Sequence, residues 1–382
     1  MLLQVCHRWR AIAIATPTLW ADIVILASNP HHPALDAARL CAERSGSCPL
    51  SLTWYHRSWN QDPVINDVLP PILGRLKNLA IFTSGFKSRD SLLVALEAVP
   101  FPILESLRCC VTRFHHLADT SLAPVNLHAP RLRYGAFTNY MIPAGAFLSL
   151  IALEITLSPG YIWQFDASKL FDLLREVAQT LRSLSFRTPG AAFQGYISSA
   201  PSIQLPELAT LDLRSASGLL TLISTPNLRS LILEDYAAVS TSPFTSLHAP
   251  KLTHLELDGI PLLDLETVSD FPWRFQELET VVLLHCQSSE SFFRYASSTR
   301  DTIPGFPSLY SIVFSDPDTF PSIKSMVEGQ NAAGPGYPTL KQLRFVSWDF
   351  ALEVGDVEWL TAQGIEFSEG VNTERPRTPT AF

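Results

Sequence analysis

Charge is scarce in this sequence: Asp, Glu, Lys and Arg make up 17% of the 382 residues and sum to −8. A surface that follows a phosphate backbone needs a basic field, so this balance argues against nucleic-acid binding. The six cysteines (Cys6, Cys41, Cys48, Cys109, Cys110 and Cys286) include no C-x-x-C pair, which removes support for a zinc or thioredoxin-type site. The apolar start has no basic stretch before it and is broken early by Arg8, Trp9 and Arg10, unlike a secretory leader. The cysteines are therefore expected to be reduced, mostly buried thiols in the cytoplasm or nucleus. No apolar run reaches the ~18 residues of a membrane helix. Also missing are G-x-S-x-G, G-x-x-x-x-G-K-S/T, H-E-x-x-H and G-x-G-x-x-G. His31-His32 and His115-His116 are adjacent pairs whose side chains diverge, so they read as loop histidines. The expectation is a protein with no catalytic residue, no metal and no cofactor, and with neither membrane nor nucleic acid as partner.

Apolar residues, by contrast, make up 47% of the chain, and there are 29 prolines. Between Leu205 and Pro261 the chain reads LPELATLDLRS, then TPNLRSLILED, then APKLTHLELDG. Each copy gives Pro, a spacer, Leu, two small or polar residues, Leu, one residue, Leu. The anchors are Leu208, Leu211, Leu213; Leu228, Leu231, Leu233; and Leu252, Leu255, Leu257. The last two of each set are two apart and share one side of an extended strand. One such strand cannot cover its apolar side alone, but stacked copies can. The frame recurs at Leu76-Leu79-Ile81, Leu104-Leu107-Cys109, Leu132-Gly135-Phe137, Leu150-Leu153-Ile155 and Leu181-Leu184-Phe186. After the central copies come Leu278-Val281-Leu283, Leu309-Ile312-Phe314, Leu340-Leu343-Phe345 and a weak Ala362-Ile365-Phe367. First anchors lie 18 to 31 residues apart. The near-duplicates NLHAPRL (Asn126–Leu132) and SLHAPKL (Ser246–Leu252) are internal evidence of repetition, with Ala-Pro entering each strand.

Helical periodicity appears in Met1–Ala15, Pro33–Arg44 and Ser168–Gln179, with further candidates at Gln287–Thr299 and Ser322–Glu328. Thr16-Pro17 stops the first, and Gly46 comes just after the second. Asp22–Leu26 reads as a strand, Leu50-Ser51-Leu52 opens the repeat series, and Ser368–Phe382 is a polar, disordered tail in which Thr373 and Thr378 are phosphorylation candidates.

The repeated frame resembles the leucine-rich-repeat family in its long, irregular intracellular form. That resemblance implies an α/β repeat solenoid: a horseshoe with one curved, mainly parallel sheet. The family's strand-end Asn is mostly replaced, with Ser215, Asp235 and Gly259 at comparable places. A second resemblance lies in VCHRWRAIAIATPTLWADIVI (Val5–Ile25), which is similar to the C-terminal half of the F-box in the large families of mushroom-forming fungi. ARLCAERSGSCPLSLTWY (Ala38–Tyr55) resembles the next helix, RSG turn and P-L-S-L strand of those families. An F-box is about twice as long and opens with an L-P-x-E-type segment, so residues 1–26 are expected to be a truncated F-box-like segment. The solenoid would then span 27–367 and the tail 368–382.

The F-box resemblance implies that Leu2, Val5, Cys6, Trp9, Pro17, Leu19 and Trp20 dock on a Skp-type adaptor carried by a cullin ligase. The repeat resemblance places target binding on the concave strand face: Asp212, Arg214, Glu234, His254, Glu256, Asp258, Val282 and Leu284, with Ile232 and Val313 beside them. The carboxylates next to an apolar patch would suit a target bearing Lys or Arg beside an aliphatic anchor. The function implied is substrate recognition for an SCF-type ubiquitin ligase; the alternative is a free-standing repeat scaffold with no ubiquitin link.

Overall fold

The computed structural model describes residues 6–27, 33–56, 68–83, 100–111, 128–139, 147–159, 167–189, 202–235, 247–262, 274–290, 292–293, 306–332, 340–346 and 353–369. The chain divides into two compact units, Met1–Thr188 and Pro189–Phe382. The architecture is α/β, with large parallel sheets and few helices.

The first unit carries β1 (Asp22–Ala27), β2 (Leu50–His56), β3 (Leu76–Thr83), β4 (Ser106–Val111), β5 (Tyr134–Thr138), β6 (Ala152–Thr156) and β7 (Ser183–Arg187). Each is parallel to the next in chain order. The second unit repeats the plan with β8 (Thr210–Arg214), β9 (Ser230–Glu234), β10 (His254–Asp258), β11 (Thr280–Leu284), β12 (Ser311–Phe314), β13 (Gln342–Phe345) and β14 (Glu366–Glu369). The strand expected at Asp22–Leu26 is thus hydrogen-bonded into the sheet as its first rung.

Register follows the leucine frame. Leu211, Leu231, Leu255 and Val281 are cross-strand partners, as are Leu213, Leu233, Leu257 and Leu283. All eight are at most 1% exposed. A one-residue slip would turn every one of them to the opposite face, so the apolar row itself holds the register.

Prolines open six of the rungs. At Phe101–Leu104, Ala129–Leu132, Leu205–Leu208, Thr225–Leu228, Ala249–Leu252 and Phe306–Leu309 the last residue donates its N–H to the first carbonyl, at 3.0–3.4 Å. Pro102, Pro130, Pro206, Pro226, Pro250 and Pro307 occupy the second position, where a fixed φ near −65° pre-sets the turn. The fourth residue is the first leucine of the frame, and all six are fully buried. The next N–H bonds back to the previous rung, as in Arg229 to Ala209 O and Thr253 to Arg229 O, both 2.9 Å.

Four rungs end on a left-handed residue: Asn139 (φ 55°), Ser215 (φ 53°), Gly259 (φ 71°) and His285 (φ 51°). At these strand ends the backbone links one rung to the next: Asn139 N–H to Thr156 O, Ser215 N–H to Glu234 O, Asp235 N–H to Asp258 O and Gly259 N–H to Leu284 O. Asn139 adds side-chain bonds to this backbone link. Buried to 3% exposure, it donates Nδ2–H to Val111 O (2.7 Å) and accepts from Ser158 N–H at Oδ1 (2.6 Å).

Helices fill the longer intervals. α1 (His7–Ile14) and α2 (Pro33–Arg44) belong to the first unit, as does α3 (Ala167–Glu176), whose Leu170, Phe171 and Leu174 are buried as its periodicity requires. Arg75 closes the end of α2, donating to Ala42 O at 2.8 Å and to Gly46 O. In the second unit α4 (Phe320–Ala332) is longer than the Ser322–Glu328 expected, and α5 (Val354–Ala362) was not expected at all.

That last helix corrects the final repeat. Ala362, assigned as a first anchor, instead ends α5. Gly364 (φ 69°) lies just beyond it, and the N–H groups of Ile365 and Gly364 bond to Leu360 O and Thr361 O in the pattern of a glycine-terminated helix. The strand therefore starts late, and Phe367 pairs with Leu343 rather than with Phe345. Most of Gln287–Thr299, both histidine pairs and the tail from residue 370 lie outside the described residues. Only Cys109 and Cys286 among the six thiols are buried, whereas most were expected to be.

Candidate functional site

The F-box-like stretch folds as α1, a turn of 3-10 helix at Pro17–Trp20, and β1. Cys6 caps α1, its Sγ accepting from Trp9 N–H at 3.5 Å. Thr16 Oγ1 donates to Ile12 O (2.7 Å), and Pro17 opens the next turn because it needs no N–H partner there. Trp20 is half-buried: its Nε1–H donates to Ala13 O at 2.7 Å, and the Arg44 guanidinium lies 4.5 Å from its ring centre. Trp20 therefore anchors the segment to α2. Trp9 and Leu19 do the opposite, being 54% and 55% exposed, with Ile12 and Ile14 also at the surface. Cys6 and Pro17 are exposed as well. Leu2 and Val5 lie outside the described residues.

The second cluster lies on the face of the second unit opposite the leucines. Asp212, Ile232, Glu256, Val282 and Val313 form one cross-strand row, and Arg214, Glu234, Asp258 and Leu284 form the next. His254 stands between Ser230 and Thr280 in a third row. All eight expected side chains thus share one face, but much of their charge is already satisfied. Arg214 bridges Asp212 Oδ1 (3.1 Å, through Nε) and Glu234 Oε2 (3.0 Å, through Nη1). Asp258 is 1% exposed and lies 2.9 Å from His285 Nδ1. Asp212 and Leu284 are each 7% exposed, while Glu234, His254, Glu256 and Val282 are half-buried. The sequence did not single out His285. It occupies the left-handed strand-end position, where Asn or Gly is the usual signal, so its pairing with a buried carboxylate one rung away was not readable.

Burial holds His254 below the ordinary imidazole value of 6.5. As pH falls past that value the unfolded chain takes up this proton first. Stability contributed by neutral His254 is therefore present above about pH 6.5 and is lost as pH drops toward the folded value. A His254→Gln variant should show a smaller fall in urea midpoint between pH 7.5 and 5.5 than the parent. Equal falls would remove His254 as the source.

Burial also pushes the Cys109 and Cys286 thiols up to about 12, which leaves them protonated and poor nucleophiles. Among the described residues no group of three or more His, Cys, Asp or Glu could hold a metal ion, and no helix is long and apolar enough to cross a membrane. No protein-family model matches the chain, and no curated protein matches it at a significant level.

Proposed function

We propose that the protein is a substrate-recognition subunit of an SCF-type ubiquitin ligase, acting in the cytoplasm or nucleus. The α1–Trp20 segment contacts the Skp-type adaptor, and a leucine-rich-repeat solenoid holds the target. The transfer chemistry belongs to other subunits. The observation that supports this reading is the state of Trp9 and Leu19. The segment is fixed from within by Trp20 and Arg44, yet two large apolar side chains stay more than half exposed. A folded segment that holds such residues outward, with His7, Arg8 and Arg10 also exposed on α1, has the anatomy of a docking surface.

The test is co-purification from source cells, scored for a Skp-type adaptor and a cullin. Both should be recovered with the parent chain. The double change Trp9→Ala, Leu19→Ala should cut adaptor recovery at least about tenfold, given what exposed aromatic anchors contribute at interfaces, while leaving the thermal midpoint unchanged. Recovery of other partners without any adaptor would favour the free-standing scaffold.

A further inference from the structure

The open face of the first unit carries an apolar stripe that its own core does not use. Val24 and Leu26 on β1 are 57% and 60% exposed, and Tyr55 on β2 is 42% exposed. Leu26, Tyr55 and Phe82 are successive cross-strand partners, and the two rings stack at 4.8 Å with planes 13° apart. The stripe runs into a hollow of about 160 Å³ whose walls include Phe82, Arg108, Cys110, Thr138 and Glu154. The hollow exists because Ala136 sits in the row between Arg108 and Glu154, leaving a gap where a longer side chain would stand. Its volume is comparable to the ~150 Å³ that accommodates one benzene-sized group, so it takes one side chain.

Charge decides which side chain. In the second unit the carboxylates Asp212, Glu234 and Asp258 already have cationic or imidazole partners. The Glu154 side chain is half-buried and has no ion-pair or hydrogen-bond partner among the described residues. A half-buried carboxylate facing a one-residue hollow is complementary to Lys or Arg. Glu154 stands on β6, so the basic group lies at the β6 side of the hollow. From β1 to β6 is five strand spacings, about 24 Å at ~4.8 Å each. An extended chain of roughly seven residues covers that distance.

We propose that this face binds an extended segment of the target protein. The segment lays apolar side chains over Val24, Leu26 and Tyr55 and, about six residues on, places a Lys or Arg against Glu154. The proposal rests on the target-binding reading and moves the principal contact from the second unit to the first.

The probe is an array of seven-residue peptides with Leu or Phe at the first two positions and Lys, Glu or Ala at the last. Binding to the purified full chain is measured by fluorescence anisotropy, without adaptor. Lys-ending peptides should bind about tenfold tighter than Glu-ending ones, and Glu154→Lys should reverse that order. Leu26→Ser and Tyr55→Ser should weaken all peptides alike. No binding across the array, or an order unchanged by Glu154→Lys, would overturn the proposal. So would sedimentation showing a dimer that Leu26→Ser disperses, because the occupant would then be a second copy of this chain. Loss of adaptor recovery alone leaves the peptide result standing, and the Glu154→Lys chain should still recover adaptor, so the two readings fail separately.

Discussion

Placing leucine at position 135 should destabilise the protein by about 2–3 kcal/mol, although leucine is what the repeat frame asks for there. Gly135 is the cross-strand partner of Leu107 on one side and Leu153 on the other, so the consensus residue is missing from the middle of an apolar row. The reason lies two residues on. A Cβ at 135 would meet Phe137 Cε2 at 2.9 Å and Cζ at 3.2 Å, with Leu150 Cδ1 at 3.5 Å. The Phe137 ring fills the space that the leucine would take. It cannot swing away, because it is 1% exposed and packs against Phe147 at a centroid distance of 6.1 Å. Gly135 and Phe137 are one packing unit written over two positions. The double change Gly135→Leu, Phe137→Leu should therefore recover at least half of the loss, since it returns both positions to the frame. Urea unfolding of the parent, both single variants and the double variant gives the coupling. A single Gly135→Leu chain as stable as the parent would show that the ring yields.

Asn139→Ala should cost about 3 kcal/mol, for a different reason. The side chain is buried and links three rungs, donating to Val111 O and accepting from Ser158 N–H. Alanine leaves both backbone groups without that partner, the Val111 carbonyl in a buried position. The left-handed backbone (φ 55°) adds a further penalty for a residue with a Cβ and no local hydrogen bond. Asn139→Gly separates the two causes: it relieves the backbone but not the lost bonds, so it should sit between Ala and the parent in chemical denaturation. If glycine matched the parent, the side-chain bonds would count for nothing.

These two positions also show what the sequence made legible. The strand frame could be read, because cross-strand register depends on a period of two and on a row of leucines that must all face one way. Within each unit the frames from Leu76 to Leu181 and from Leu208 to Leu340 land in register, even where Gly135 or Cys109 replaces the expected residue. The final frame was misread because Ala362 fits a leucine position by polarity alone, whereas the structure uses it for a helix end set by Gly364. Of the candidate site, alternation alone could show which face the eight residues share, but not their pairing. That Asp258 is buried against His285 depends on a left-handed turn one rung away. That Glu154 opens onto a hollow depends on Ala136, a residue too small to draw notice in a linear reading.

The two HAP turns carry an implication for how such a chain can be edited. Ala129–Leu132 and Ala249–Leu252 close with the same bond, at 3.0 and 3.1 Å, and each leads into a fully buried leucine. Because each turn settles its geometry within four residues and then hands the chain to the preceding rung, the two are interchangeable parts. Exchanging APRL for APKL should go unnoticed by the fold. Whole modules bounded by such turns become natural units for duplication, deletion and grafting, whereas a one-residue change inside a strand would put the rest of that strand's side chains on the wrong side.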